Sequence, residues 1–154
     1  MIDAISLKIL KILQKKARIP NVEVARQVGM APSAVLERIR KLEKQGFIDG
    51  YEVRLNPKRF ARSLVAFVKV KIKMPGDEKK IGEKLTRIDA VQEVHYVAGE
   101  DAFLVKVRAA DTEDLSRLTR DKIGAIASVR STQTAIVLST YKETARIPIE
   151  IVSD

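Results

Sequence analysis

Between positions 33 and 44 the chain sets Ser33, Ala34, Glu37, Arg38, Arg40, Lys41 and Lys44 around an apolar stripe of Val35, Ile39 and Leu42. The apolar residues recur at i, i+4 and i+7, the spacing of one buried helix face, so the other seven fall outside it. Their chemistry suits a nucleic acid. The planar fork of Arg38 matches the O6 and N7 acceptors of guanine, Ser33 near the helix start suits a phosphate or a base edge, and Lys41 and Lys44 suit backbone oxygens. A charged helix face also serves solubility alone, so the choice between the two rests on what positions this helix.

Little else in the sequence could carry chemistry. It has no cysteine and a single histidine, His95. That excludes disulfides, thiolate zinc sites, iron–sulfur clusters and a cysteine nucleophile, and one histidine cannot complete a metal site by itself. There is no glycine-rich phosphate loop, and no Ser or Thr has a histidine partner other than His95, which lies in a strand pattern. Asp111, Glu113 and Asp114 gather at a helix start, where acids favour the positive end of the helix dipole. Neither an enzyme, nor a cofactor, nor a metal is expected.

At 154 residues the chain has room for one domain or two small ones, and its 45% hydrophobic content is that of a packed protein. No apolar run approaches the roughly 18 residues of a membrane span, and the N-terminus lacks signal-peptide character. The expectation is a cytoplasmic protein with no membrane contact. The net charge of +9 is unevenly placed: residues 1–60 hold 13 Lys and Arg against 6 Asp and Glu, the remainder 16 against 14. That asymmetry turns the N-terminal part toward a polyanion, and the absence of a long basic helix with aromatic anchors argues against lipid.

The elements that must position residues 33–44 follow from local signals. Ile5, Ile9, Ile12 and Leu13 form a helical stripe opposed by Lys8, Lys11 and Lys15, with Asp3 as its cap; Ile19 and Pro20 end it. Asn21 is the expected cap of a second short helix carrying Val22, Val24, Ala25 and Val28, stopped by Gly29. Pro32 opens the third helix, which runs to about Gln45 with Gly46 as terminator. Three helices with such short connections are a helix-turn-helix, whose third helix enters a DNA groove. Phe47 to Pro57 alternates apolar and polar residues and is expected to form a short strand, either a minimal wing or a connector.

From Ser63 the period becomes strand-like. Strands are expected at Leu64–Met74, Val91–Ala98, Ala102–Ala109 and Val129–Ser139, and helices at Asp77–Ile88 and from Asp111 to about Ile126. This β-α-β-β-α-β order is a ferredoxin-like arrangement whose sheet has one face without helices. Burial of that face against a second copy predicts a dimer. Tyr141–Ile151 is expected to add an edge strand or to cross to the partner. The domain reading is a helix-turn-helix domain over 1–50, a linker strand over 51–62 and a ferredoxin-like domain over 63–154.

At this level the chain resembles a known family. Leu7-Lys8-Ile9-Leu10, Leu13-Gln14, Gly29-Met30-Ala31-Pro32-Ser33, Glu37 to Glu43, Gln45-Gly46-Phe47-Ile48 and Gly50-Tyr51 resemble the DNA-binding half of the Lrp/AsnC, or feast/famine, regulators. The second half, including Ala135 to Leu138 and Lys142-Glu143-Thr144, is similar to that family's amino-acid-binding domain, with the closing run similar to archaeal members. The resemblance implies an α+β protein, a winged-type helix-turn-helix followed by a ferredoxin-like regulatory domain. It also implies homodimers that assemble further, often into octamers, with amino-acid effectors bound between dimers.

The family's effector loop typically reads Thr-Gly-x-Tyr-Asp; here Ala98-Gly99-Glu100-Asp101-Ala102 stands in its place. Gly99 keeps a backbone approach to an α-carboxylate open, and Glu100 or Asp101 could receive an α-ammonium; a plain polar hairpin tip is the other reading. Thr132, Gln133 and Thr134 match the strand that faces the effector in relatives, and strand propensity alone also explains them. Ala31 stands where many relatives place a capping Ser. The function expected is an effector-modulated, sequence-specific transcriptional regulator binding double-stranded DNA. The alternative is an architectural DNA-organising protein with little sequence preference; RNA is disfavoured because the sheet lacks paired exposed aromatics.

Overall fold

The structure, a computed structural model, describes residues 2–150, which form two compact units. The first holds the chain up to Arg54 together with the described residues from Lys142 onward; the second spans Leu55–Tyr141.

In the first unit, α1 (Ala4–Lys15), α2 (Asn21–Val28) and α3 (Pro32–Lys44) enclose a core of Ile9, Leu10, Leu13, Val24, Ala25, Val35, Ile39 and Leu42. The helix ends form where local chemistry dictates. The Asp3 carboxylate accepts from the Ser6 amide at 2.7 Å and so caps α1. Gly29 adopts φ 71°, ψ 39°, the left-handed geometry that closes α2, and only two further residues separate it from α3. Gly46 ends α3 in the same way at φ 73°. One cap differs from expectation: Pro20, not Asn21, precedes α2, and Asn21 is its first residue. Pro20 fixes an extended backbone there, and its carbonyl accepts from the Glu23 and Val24 amides.

Ala31 caps α3 with the right backbone (φ −70°, ψ 144°) but no side-chain acceptor, and no hydrogen bond from Ser33 replaces it among the described residues. Ala31→Ser is therefore expected to stabilise the first unit by about 1 kcal/mol. Chemical denaturation read by the unit's helical signal would check this, and an unchanged midpoint would contradict it.

The strand expected over residues 47–57 does not form. Residues 48–56 are without regular structure, and Pro57–Phe60 make a single 3-10 turn. Alternation alone was insufficient because no neighbouring strand supplies the ladder that would hold it. The segment from Lys142 adds no edge strand to the sheet either. It groups with the first unit, where the Gln14 side-chain amide brackets Ile147, accepting from its N–H at 2.9 Å and donating to its carbonyl at 3.1 Å. Ile149 packs against the helical core. Of the predicted segment, Ile151 lies outside the described residues.

The second unit contains β1 (Leu64–Ile72), α4 (Glu78–Thr86), β2 (Val91–Val97), β3 (Ala102–Ala109), α5 (Thr112–Arg117) and β4 (Val129–Ile136). The sheet is antiparallel in the order β2-β3-β1-β4. Ala66, Val68, Val70, Val105 and Val107 project from one face onto Ile81 and Leu85 of α4 and onto Leu115, Leu118 and Ile123. Past α5 the helix widens into a π-helical turn, Leu118–Ile123, instead of continuing to Ile126. Its closing bond runs from the Gly124 amide to Thr119 O at 2.8 Å, and a Cβ at Gly124 would sit 3.0 Å from that oxygen, so glycine permits the closure. At the start of α5, Asp111 accepts from the Asp114 amide at 2.8 Å, and Asp114 from the Ala110 amide at 2.9 Å, which accounts for both acids as caps.

Candidate functional site

With Val35, Ile39 and Leu42 buried, the outermost line of α3 is Ser33, Glu37, Arg40 and Lys44, all exposed and related by i, i+4, i+7 and i+11. Lys41 is exposed beside this line. None of these side chains has an ion-pair partner among the described residues. A straight row with a hydroxyl at the helix start, a guanidinium in the middle and an ammonium at the end has the chemistry that suits base edges and phosphates.

Arg38 and Ala34 do not join the row. Both are half-buried and line a groove of about 540 Å³ with Ile2, Asp3, Ser6 and Met30, whose outer rim is formed by Glu37 and Lys41. The Arg38 guanidinium is ion-paired with Asp3 and donates to Ser6 Oγ at 3.0 Å. Arg38, whose fork the sequence matches to guanine, is thus engaged at the start of α1. Arg40 occupies the outward position instead. The helical spacing alone separates Arg40 from Arg38; the Asp3 partner, 35 residues away, has no local signal.

The hydrogen bonds from Arg38 and the Ser6 amide hold the Asp3 carboxyl down to about 2 against an ordinary 3.8. A carboxyl depressed in the folded state contributes stability that is present above its unfolded value and disappears as pH falls through the folded one. The first unit is expected to lose that contribution between about pH 4 and about pH 2. In Arg38→Ala, whose Asp3 titrates closer to the ordinary value, the loss begins at the same pH but is smaller and is complete at a higher pH. Thermal midpoints of the two proteins across that range test the assignment.

In the second unit the β2–β3 hairpin carries Gly99 at φ 99° and Asp101 at φ 45°. Asp101 is held from both ends: its carbonyl accepts from the Ile72 amide at 3.2 Å, and its carboxylate from the Tyr96 hydroxyl at 3.1 Å. Tyr96 in turn lies against Phe103, ring centres 5.1 Å apart. Glu100 is ion-paired with Lys69, which keeps its carboxyl below the usual range. Lys69 stands opposite Gln133 in the β1–β4 ladder. Lys69, which holds Glu100, is thus the register neighbour of Gln133 on the helix-free face. Thr132 and Thr134 stand opposite Val70 and Val68, so the pleat gives them the other face.

That helix-free face also holds Phe67, Leu104 and a polar group in which Glu93 accepts from Lys106 at 2.9 Å and lies 3.3 Å from His95 Nε2. Lys106 keeps the Glu93 carboxyl below its ordinary range. His95 is an exposed strand residue. Among the described residues no three His, Cys, Asp or Glu side chains come together to hold a metal ion, and no helix is long and apolar enough to cross a membrane.

Known proteins share both halves. Residues 2–49 match the winged helix-turn-helix DNA-binding family and residues 65–147 the Lrp/AsnC ligand binding domain. The HTH-type transcriptional regulator FL11 of Pyrococcus abyssi is 36% identical over 149 residues, 97% of each chain. The leucine-responsive regulatory protein of Escherichia coli is 34% identical over 151 residues, 97% of this chain and 92% of that one. Among solved structures, a Neisseria meningitidis transcriptional regulator in complex with L-Met superposes with a TM-score of 0.91 at 28% identity, over 96% of this chain and 97% of that one. Escherichia coli AsnC gives 0.87 at 28% identity, over 96% and 99%. With a helix-turn-helix in one unit, a βαββαβ domain in the other and this likeness along nearly its whole length, the chain belongs to the Lrp/AsnC family of DNA-binding transcriptional regulators.

Proposed function

We propose that two copies of the chain present their α3 helices to successive major grooves of a pseudo-palindromic duplex. Ser33, Glu37 and Arg40 face base edges, and Lys41 and Lys44 face phosphates. The observation that carries this reading is the unpaired row Ser33, Glu37, Arg40 and Lys44 on the outer line of α3. Ala34 and Arg38 support the helix from the flank. The two copies meet through the helix-free sheet faces around Phe67 and Leu104, and such dimers assemble further, up to an octamer. The protein works in the cytoplasm, where its duplex is.

The second unit adjusts DNA affinity or assembly in response to an amino acid held at Gly99, Glu100 and Asp101, with Gln133 as the strand residue nearest in the ladder. The complexes of two relatives with L-methionine support this class of effector. Here Glu100 and Asp101 offer carboxylates to the α-ammonium, and the Gly99 backbone leaves room for the α-carboxylate.

Footprinting on genomic fragments, with and without individual amino acids, tests both halves. Protection of one spaced site with half-sites about 10 bp apart supports the regulator; uniform protection points to an architectural protein. Calorimetry across the amino acids that gives no heat would remove the effector.

A further inference from the structure

The outer line of α1 carries a charge row that the reading of α3 leaves unused. Ser6, Leu7, Ile9, Leu10 and Leu13 are buried, and on the remaining outer line Lys8, Lys11 and Lys15 are exposed at i, i+3 and i+7, followed by Lys16 and Arg18. From Ala4 to Val22 the chain has five cations and no acid. None of the five has an ion-pair partner among the described residues. The flanking acids are already engaged, Asp3 by Arg38 and Glu23 by Arg26 at 2.6 Å and Gln27 at 2.9 Å.

Lysines three and four apart repel one another along a helix. Lys15 and Lys16 gain from the negative end of the α1 dipole, but Lys8 and Lys11 lie outside the last turn and gain nothing there. The segment beginning at Lys142 adds Arg146, whose guanidinium lies 3.5 Å from Lys15 O. Beside the row, a groove of about 280 Å³ runs between α1 and α2, walled by Lys11, Lys15, Lys16 and Gln27 over Ile12 and Ile19.

From this row we infer a second, sequence-independent contact on α1 for the phosphate backbone of a further duplex segment. Lys8 to Lys15 extend about 10 Å along the helix, a length matched by anions repeated along a line rather than by a single small anion. The row has no aromatic side chain, which disfavours stacked single strands and insertion into a lipid surface. α1 and α3 bury their inner faces in the same core, so their outer lines leave it in different directions. Lys8, Lys11 and Lys15 therefore stand on a line of their own, apart from that of Ser33, Glu37, Arg40 and Lys44. The inference rests on the reading that α3 seats duplex.

Because the chain has no cysteine, a hydroxyl-radical-generating chelate can be tethered to the full chain through Ser33→Cys or Lys11→Cys. Each conjugate is bound to a labelled target fragment in the presence of a second labelled duplex of random sequence. The Ser33→Cys conjugate should cut inside the target half-sites, and the Lys11→Cys conjugate should cut flanking DNA or the random duplex. Lys8→Gln/Lys11→Gln/Lys15→Gln should lower the salt slope on long duplex by about 3 and leave it unchanged on a target of about 20 bp. No cutting from position 11 while position 33 cuts overturns the second contact and leaves the first standing, as does cutting of the same bases by both. No cutting from either removes both. Wild-type binding to phosphatidylserine vesicles that the triple variant loses, with long-duplex binding unchanged, assigns the row to a lipid surface and overturns the inference.

Discussion

Arg40→Ala is expected to weaken binding to a specific duplex about 5- to 150-fold, the equivalent of roughly 1 to 3 kcal/mol, while changing binding to random duplex far less. Arg40 is the one guanidinium on the outer line of α3, and its planar fork suits guanine. Lys44→Ala, at the end of the same line, should weaken both duplexes alike and lower the salt slope by about 1. Arg38→Ala should leave sequence preference intact, because its guanidinium is spent on Asp3 and Ser6. Fluorescence anisotropy on the two duplexes over a range of salt separates the three. If Arg40→Ala cost as much on random sequence as on the target, or if Arg38→Ala alone relaxed specificity, the assignment would fail.

Ile9→Ala should cost about 2 to 5 kcal/mol, because Ile9 is fully buried among Leu10, Leu13, Val24, Val35 and Ile39 and a methyl-lined void would replace it. For a unit of this size that is a large share of total stability. The damage should remain local, since the core of the second unit is built from a separate residue set around Val68, Val105 and Ile123. Hydrogen exchange by mass spectrometry should show protection lost across α1 to α3 and kept across β1 to β4. Equal loss in both would mean that the units unfold as one.

These outcomes bear on what the sequence made legible. Asp3, Gly29, Pro32 and Gly46 each act within a few residues of themselves, so the three helices and their boundaries could be derived locally. In the second unit the alternation in β1 and β3 and the glycine turn between β2 and β3 led to the βαββαβ order for the same reason. Long-range facts were not legible. The helical period puts Arg38 off the outer line, but that Asp3, 35 residues earlier, receives its guanidinium has no local signature. The 48–56 segment alternates like a strand but has no neighbour to pair with. β4 is exposed along almost its whole length, so no apolar alternation marked the faces on which Thr132, Gln133 and Thr134 fall. The register shift at Lys71/Ile72, where β4 begins its pairing with β1, has no local signature either.

The placement of Ile149 has a consequence for how the chain matures. This side chain packs on the same cluster as Ile9 and Val24, yet a ribosome delivers it only after the whole sheet has been translated. Domains that emerge first usually finish folding first. Here the DNA-reading helices, though synthesised at the outset, acquire this piece of their packing after the regulatory half has been made. A nascent or prematurely terminated polypeptide would thus present a less complete reading head to the chromosome than the finished product does.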